Sequence, residues 1–108
     1  MTIESTQRAM CKKHGSIFTP PADRSKAGLA LSTIKLNPIY GVREAVNGDT
    51  AGWYIWGGPY SSAPNFFQPI HTKHLVDLLP AVLPFLALEP GFKFIIDDAG
   101  YVDVWREL

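Results

Sequence analysis

Residues 72–86, TKHLVDLLPAVLPFL, form the one long stretch of the chain whose apolar residues recur at helical spacing. The residues that recur at this spacing are Leu75, Leu78, Leu79, Val82, Leu83 and Leu86. Steps of three and four place side chains on one face of a helix, and we expect this face to pack against a sheet. Thr72 can cap the first turn. Pro80 lacks an N–H and clashes with the preceding turn, so it predicts a break into two short helices.

The residues that precede this stretch have the alternation of β-strands. A first strand is predicted from residue 29 to about 35, a second over 40–46 and a third over 52–57. The intervening Asn47-Gly48-Asp49 is a tight-turn signal, because Asn and Gly adopt positive φ at little cost. The second and third strands should therefore form an antiparallel hairpin.

The third predicted strand carries bulky residues on both faces. Trp53 and Ile55 should point one way, and Tyr54 and Trp56 the other. A strand that needs cover on both sides is typical of the middle of a sheet. We expect the helices to cover one side and other residues to cover part of the second.

A last hairpin is predicted after Glu89-Pro90-Gly91 ends the helical run. Residues 92–96 and 101–105 alternate on either side of the turn at 97–100, DDAG. The order β-β-β-α-β-β predicts an α+β domain with an antiparallel sheet of about five strands and one or two short helices packed on one face. The predicted core consists of Trp53, Ile55, Leu75, Leu79, Leu83, Phe94 and Ile96.

Residues 1–26 are polar, and the Pro20-Pro21 pair interrupts any regular pattern. Their main apolar residues before the first strand are Ile17 and Phe18. We expect residues 1–26 to be an irregular, loosely attached N-terminal arm, followed by a single α+β domain over 27–108.

The composition argues against several classes of partner and location. Lys plus Arg equals Asp plus Glu at 10 each, so no net field favours nucleic acid or an anionic membrane. No apolar run approaches the roughly 20 residues that span a bilayer. The first ten residues lack the apolar core of a signal peptide, and Cys11 has no second cysteine with which to pair. These features predict a cytoplasmic protein that binds neither nucleic acid nor membrane.

Metal-ligating and catalytic patterns are incomplete. His71 and His74 could contact one ion from the start of a helix, and Cys11 and His14 have a similar spacing, but neither pair has the remaining ligands that a zinc site needs. There is no G-x-S-x-G elbow and no lysine-bearing phosphate loop. The acidic residues at 97–98 are explained by the turn preference of Asp. We therefore predict no metal, no cofactor and no enzymatic activity.

Residues 58–71, GPYSSAPNFFQPIH, contain three prolines and no regular period, which predicts a loop. At about 14 residues, it is longer than compact domains normally use, and such loops are often functional. Phe66 and Phe67 are adjacent, so in most backbone geometries they cannot both point into the core. The loop residues Tyr60, Phe66 and Phe67 are therefore candidates for a partner-binding surface, although burial preference equally allows the phenylalanines to close the core beneath the loop.

Several blocks of the chain, from about residue 28 to residue 107, resemble the type-33 immunity-protein family. The matching blocks are Arg43-Glu44, residues 52–56, residues 66–71 with His74-Leu75, residues 90–97 and residues 100–105. The resemblance implies a bacterial protein of a polymorphic toxin system that binds and neutralises a cognate toxin. Asp98 and Asp103 on the last hairpin would add an acidic rim to the loop surface, which would suit a basic toxin.

The leading hypothesis is thus a non-enzymatic immunity protein whose partner is a toxin. The alternative is a small-molecule or metal-binding domain that uses the loop 58–71 together with His71 and His74.

Overall fold

The computed structural model describes residues 2–107, which form one six-stranded sheet with helical segments packed on one face. The strands are β1 Lys26–Leu29, β2 Ile39–Arg43, β3 Thr50–Gly57, β4 Gln68–His71, β5 Phe92–Ile96 and β6 Val102–Arg106. The helical elements are α1 Ile3–His14, a 3-10 turn Thr72–His74, α2 Leu75–Leu78 and a 3-10 helix Pro80–Phe85.

The strand order is β4-β1-β3-β2-β5-β6. Neighbouring strands pair antiparallel except β1 and β3, which are parallel. The hairpin of β2 and β3 forms as predicted, with Tyr40 opposite Trp56, and β3 lies in the interior of the sheet. The predicted α+β fold is confirmed, with six strands in a mostly antiparallel sheet where about five were expected.

Two details of the strand prediction are wrong. The first strand ends at Leu29, because the chain then turns, with Thr33 N–H donating to the Ala30 carbonyl and Leu36 N–H to the Thr33 carbonyl. The predicted loop at 58–71 ends in a strand, β4, which pairs with β1 at the sheet edge. Pro69 belongs to β4, and an edge strand tolerates the missing N–H of proline.

The irregular structure expected for residues 1–26 is also wrong for residues 3–14, which form α1. Ser5 N–H donates to the Thr2 hydroxyl over 3.1 Å at the N-terminus, and Gly15 ends the helix at φ 71°. The helix packs on the Pro80–Phe85 helix, where the Gln7 side chain donates to the Leu83 carbonyl over 2.9 Å. Whether this region is loosely attached stays a prediction.

As predicted, residues 72–86 break into two short helices at Pro80, which occupies the first position of the 3-10 helix. The cap predicted at Thr72 is wrong. The Thr72 side chain is buried and donates its hydroxyl to the Ala22 carbonyl over 2.9 Å, so it ties the helical region to the chain that precedes β1.

The core lies between the sheet and the helical segments. Of the seven predicted core residues, Trp53, Ile55, Leu75, Phe94 and Ile96 are buried in it, whereas Leu79 and Leu83 are only partly buried at its margin. The sequence pattern thus identifies the correct face of the helical stretch. The face is not buried evenly, because the chain reorients at Leu79 before the 3-10 helix begins: Leu75, Val82 and Leu86 are buried, whereas Leu78 is exposed.

A buried arginine holds the helical stretch against the sheet. The Arg43 guanidinium donates to the carbonyls of Ala51, Leu86 and Leu88 over 2.9, 3.2 and 2.8 Å, and to the carbonyl of Thr19 over 2.6 Å. Burial lowers the pKa of Arg43 to about 10, so the side chain stays charged at neutral pH. Carbonyl dipoles from several parts of the chain thus solvate this cation.

Among residues 2–107, no helix has both the length and the apolar content that crossing a bilayer requires.

Candidate partner-binding face

The side of the sheet opposite the helices presents a band of aromatic residues. Alternation along β3 places Tyr54 and Trp56 there, as predicted, and the strand register brings Val42 opposite Tyr54 and Tyr40 opposite Trp56. The Tyr40 and Trp56 rings stack, with centroids 5.3 Å apart and planes at 14°. We call this side of the sheet, together with the loop residues that pack on it, the aromatic face. Its apolar strand residues are Tyr40, Val42, Tyr54, Trp56, Ile95 and Trp105.

The loop that follows β3 folds back over the aromatic face. The Tyr60 ring meets Trp56 edge-on at 5.3 Å, and the Phe67 ring meets Tyr54 at 5.3 Å and Trp56 at 6.0 Å. Phe66 contacts Tyr60 at 5.7 Å and Phe67 at 4.9 Å. Edge-to-face contacts of this kind are favourable between aromatic rings, so the loop rings and the strand rings hold one another in place.

The three loop residues singled out from the sequence therefore come together, but they differ in exposure. Tyr60 is 61% exposed, Phe67 is half-buried and Phe66 is only 9% exposed. Phe66 packs within the aromatic cluster beneath the loop. It is thus placed to support the other two rings, while Tyr60 and Phe67 have surface available to a partner.

Gly28 on β1 makes this packing possible. A Cβ at this position would lie 2.8 Å from Tyr54 Cδ1 and 3.3 Å from Phe67 Cβ. The absence of a side chain lets the Tyr54 ring and the Phe67 Cβ approach the backbone of β1 closely.

Between the loop and the sheet lies an open pocket of about 480 Å³. Its lining consists of Val42, Glu44, Tyr54, Trp56, Tyr60 and Phe67. Four aromatic rings and one carboxylate thus surround it. We call this cavity the aromatic pocket.

The two acidic residues predicted as a rim lie apart from the aromatic pocket. Asp98 is exposed in the turn between β5 and β6, and its carboxylate accepts from the Asn37 amide over 3.3 Å. Asp103 is exposed on the edge strand β6, opposite Ile95. The neighbouring Asp97 carboxylate accepts from the backbone N–H groups of Ala99 and Tyr101, both over 2.9 Å, which is the turn role expected of this segment.

The histidine pair proposed as an alternative site lies away from the aromatic pocket. His71 and His74 are both exposed, and their ring centroids are 6.0 Å apart. Among residues 2–107, no group of three or more His, Cys, Asp or Glu side chains is placed to hold a metal ion. The described part of the chain therefore supplies this pair with no third protein ligand.

Tyr40, Tyr54, Trp56 and Glu44 were not among the candidate site residues taken from the sequence. Alternation showed that Tyr54 and Trp56 face away from the helices, which was the available signal for them. The pairing of β2 with β3 places Tyr40 beside Trp56, and Glu44 follows directly after β2. Both positions depend on how the two strands pair, which no local pattern of the sequence reveals.

The family model of the Imm33-like domain matches residues 6–107. The chain belongs to this family. The predicted resemblance to an immunity-protein family is thereby confirmed, and the Imm33-like domain extends beyond the predicted blocks to include most of α1. No curated protein and no solved structure gives a significant match to the chain.

Proposed function

We propose that this Imm33-like domain is an immunity protein that binds a cognate bacterial toxin through the aromatic face and neutralises it without enzymatic activity. The observation that carries the proposal is the aromatic cluster formed by the loop and β3, with Tyr60 exposed above Trp56. The family supports the immunity role. The balanced charge of the chain creates no net field that would favour nucleic acid or an anionic membrane over a protein partner.

The aromatic face has the properties of an interface anchor. Tyrosine and tryptophan dominate the binding energy of many interfaces, because they offer a large contact area with few rotatable bonds. Here the rings of Trp56, Tyr60 and Phe67 already contact one another, so little side-chain entropy is lost when a partner covers them.

The proposal gives each predicted residue a role. Tyr60 and Phe67 contact the toxin directly, and Phe66 supports them from below. Asp98 and Asp103, both exposed, form an acidic rim that raises the association rate of a basic toxin.

Affinity measurements with the toxin test this proposal, once the toxin has been identified by co-purification from the native cell. Tyr60→Ala and Phe67→Ala should each weaken binding by about tenfold or more, as expected for aromatic anchors. The melting temperature of Tyr60→Ala should stay close to that of the wild type. Phe67→Ala should lower it, because the half-buried Phe67 ring packs against Tyr54 and Trp56, so this variant is assayed below its own melting temperature. Both variants should also protect toxin-producing cells less well.

Ile17→Ala is the matched control, since Ile17 is an exposed apolar residue in the segment after α1. It should bind the toxin like the wild type. Normal toxin binding by folded Tyr60→Ala and Phe67→Ala proteins would place the interface elsewhere and refute the proposal.

A further inference from the structure

The aromatic pocket combines two features that together select a particular chemistry. Tyr54, Trp56, Tyr60 and Phe67 supply rings on several sides, and Glu44 supplies a negative charge at the end of β2. The π-face of an aromatic ring is negative, so a group of rings attracts a cation. Within residues 2–107, no basic side chain lines the pocket.

Glu44 is held at the pocket by its backbone. Its N–H donates to the Gly52 carbonyl over 2.8 Å, directly beyond the ladder of β2 and β3. The side chain is exposed, and the ion pairs formed within residues 2–107 do not include it. Its carboxylate can therefore pair with a charge brought by a partner.

Two lysines on this side of the sheet already have carboxylate partners. Lys26, which lines a neighbouring pocket together with Tyr54 and Phe67, pairs with Asp49 over 3.4 Å. Lys93 lies opposite Val42 in the register, but its ammonium group forms an ion pair with Glu107 at the end of β6. This pairing holds the positive charge of Lys93 at a carboxylate other than Glu44.

We propose that the aromatic pocket receives the guanidinium group of an arginine side chain from the protein partner, an inference that rests on the proposed function. A planar guanidinium stacks on aromatic rings and matches a carboxylate with two parallel N–H donors. It is also less strongly hydrated than an ammonium ion, so it enters a ring-lined pocket at lower cost. A purely apolar occupant would leave the Glu44 carboxylate partly desolvated without a partner.

The test uses the full-length protein labelled with ¹⁵N and the neutral-ended probe N-acetyl-arginine amide. The Trp56 indole N–H resonance, assigned with Trp56→Phe, reports on the pocket. The arginine probe should shift this resonance with a dissociation constant in the millimolar range, as a single side chain allows. N-acetyl-citrulline amide has nearly the same shape without the charge, and should bind at least about fivefold more weakly because it lacks the cation–π and ion-pair terms.

Glu44→Gln separates the carboxylate from the rings. This exposed substitution should leave the melting temperature unchanged, weaken the arginine probe about threefold through loss of a charge pair, and leave the citrulline probe unaffected. Two results would overturn the inference. One is equal affinity of the wild-type protein for the arginine and citrulline probes. The other is a Trp56 resonance that does not shift at up to about 50 mM arginine probe. If Tyr60→Ala still weakened toxin binding in that case, the proposed function would stand without the arginine contact.

Discussion

At the scale of single residues, Arg43 shows how a charged side chain can organise a core. Its guanidinium links β2 to the carbonyls of Leu86 and Leu88 after the 3-10 helix, and also lies 5.7 Å from the Trp53 ring. Trp53 itself donates to the Leu86 carbonyl over 2.9 Å. Side-chain donors from the sheet, together with the burial of Leu86 and Leu88 in the core, thus fix the end of the helical stretch to the sheet.

Replacing Arg43 should therefore be costly although no carboxylate partner is lost. Arg43→Leu leaves several buried carbonyls without their donor, and the free energy of unfolding should fall by about 3 kcal/mol or more. Arg43→Lys keeps the charge but loses the planar guanidinium with its several donors. Its free energy of unfolding should therefore lie between those of the wild type and of Arg43→Leu. Urea denaturation measures these values; a change below about 0.5 kcal/mol in Arg43→Leu would contradict this role.

The core leucines provide a second prediction at this scale. Leu75 is fully buried, whereas Leu79 is partly buried at the margin of the core. Leu75→Ala should reduce the free energy of unfolding by about 2–5 kcal/mol, through lost transfer energy and a cavity. Leu79→Ala should cost less, because part of its side chain already contacts water. Urea denaturation of both variants measures these losses. A larger loss of unfolding free energy in Leu79→Ala than in Leu75→Ala would contradict the prediction.

At the scale of elements, the sequence predicts best where one face of an element is buried and the other is not. The alternation of β5 and the helical spacing of residues 72–86 follow directly from that asymmetry. The edge strand β4, QPIH, is short and includes a proline, so it offers no clear period. Its existence depends on pairing with β1, which no local pattern reveals.

The first helix escaped prediction for a different reason. Its capping residues Thr2 and Gly15 are present in the sequence, but Cys11 is its one buried side chain, so the apolar period is weak.

The candidate site could likewise be predicted only in part. The adjacent Phe66 and Phe67 could be recognised locally, whereas the contribution of Tyr40 depends on the register of β2 against β3.

The small buried area of α1 leads to a prediction about its attachment. Few of its side chains are anchored in the core, so α1 should open locally at a lower free energy than the sheet. Native-state hydrogen exchange should show α1 amides exchanging well before those of β3. Limited proteolysis should likewise cut before Lys26. If the amides of α1 and β3 exchanged at the same slow rate, residues 1–26 would be an integral part of the domain.

At the scale of the whole molecule, the sheet separates two different surfaces. One side packs against the helical segments and forms the core. The other carries the aromatic face and the loop that covers part of it. The helical side also has a groove, with Ile3, Phe18 and Val76 among its lining residues. The proposed function requires the partner to cover the aromatic face and to leave this groove open.

Side-chain footprinting with hydroxyl radicals, on the free protein and on its complex with the toxin, tests this central claim most directly. The oxidation of Trp56, Tyr60 and Phe67 should fall strongly in the complex, because the partner excludes water from the anchors of an interface. Ile3 and Val76, exposed on the helical side, should react equally in both states. Protection of Ile3 and Val76 with unchanged oxidation of Tyr60 would contradict the account.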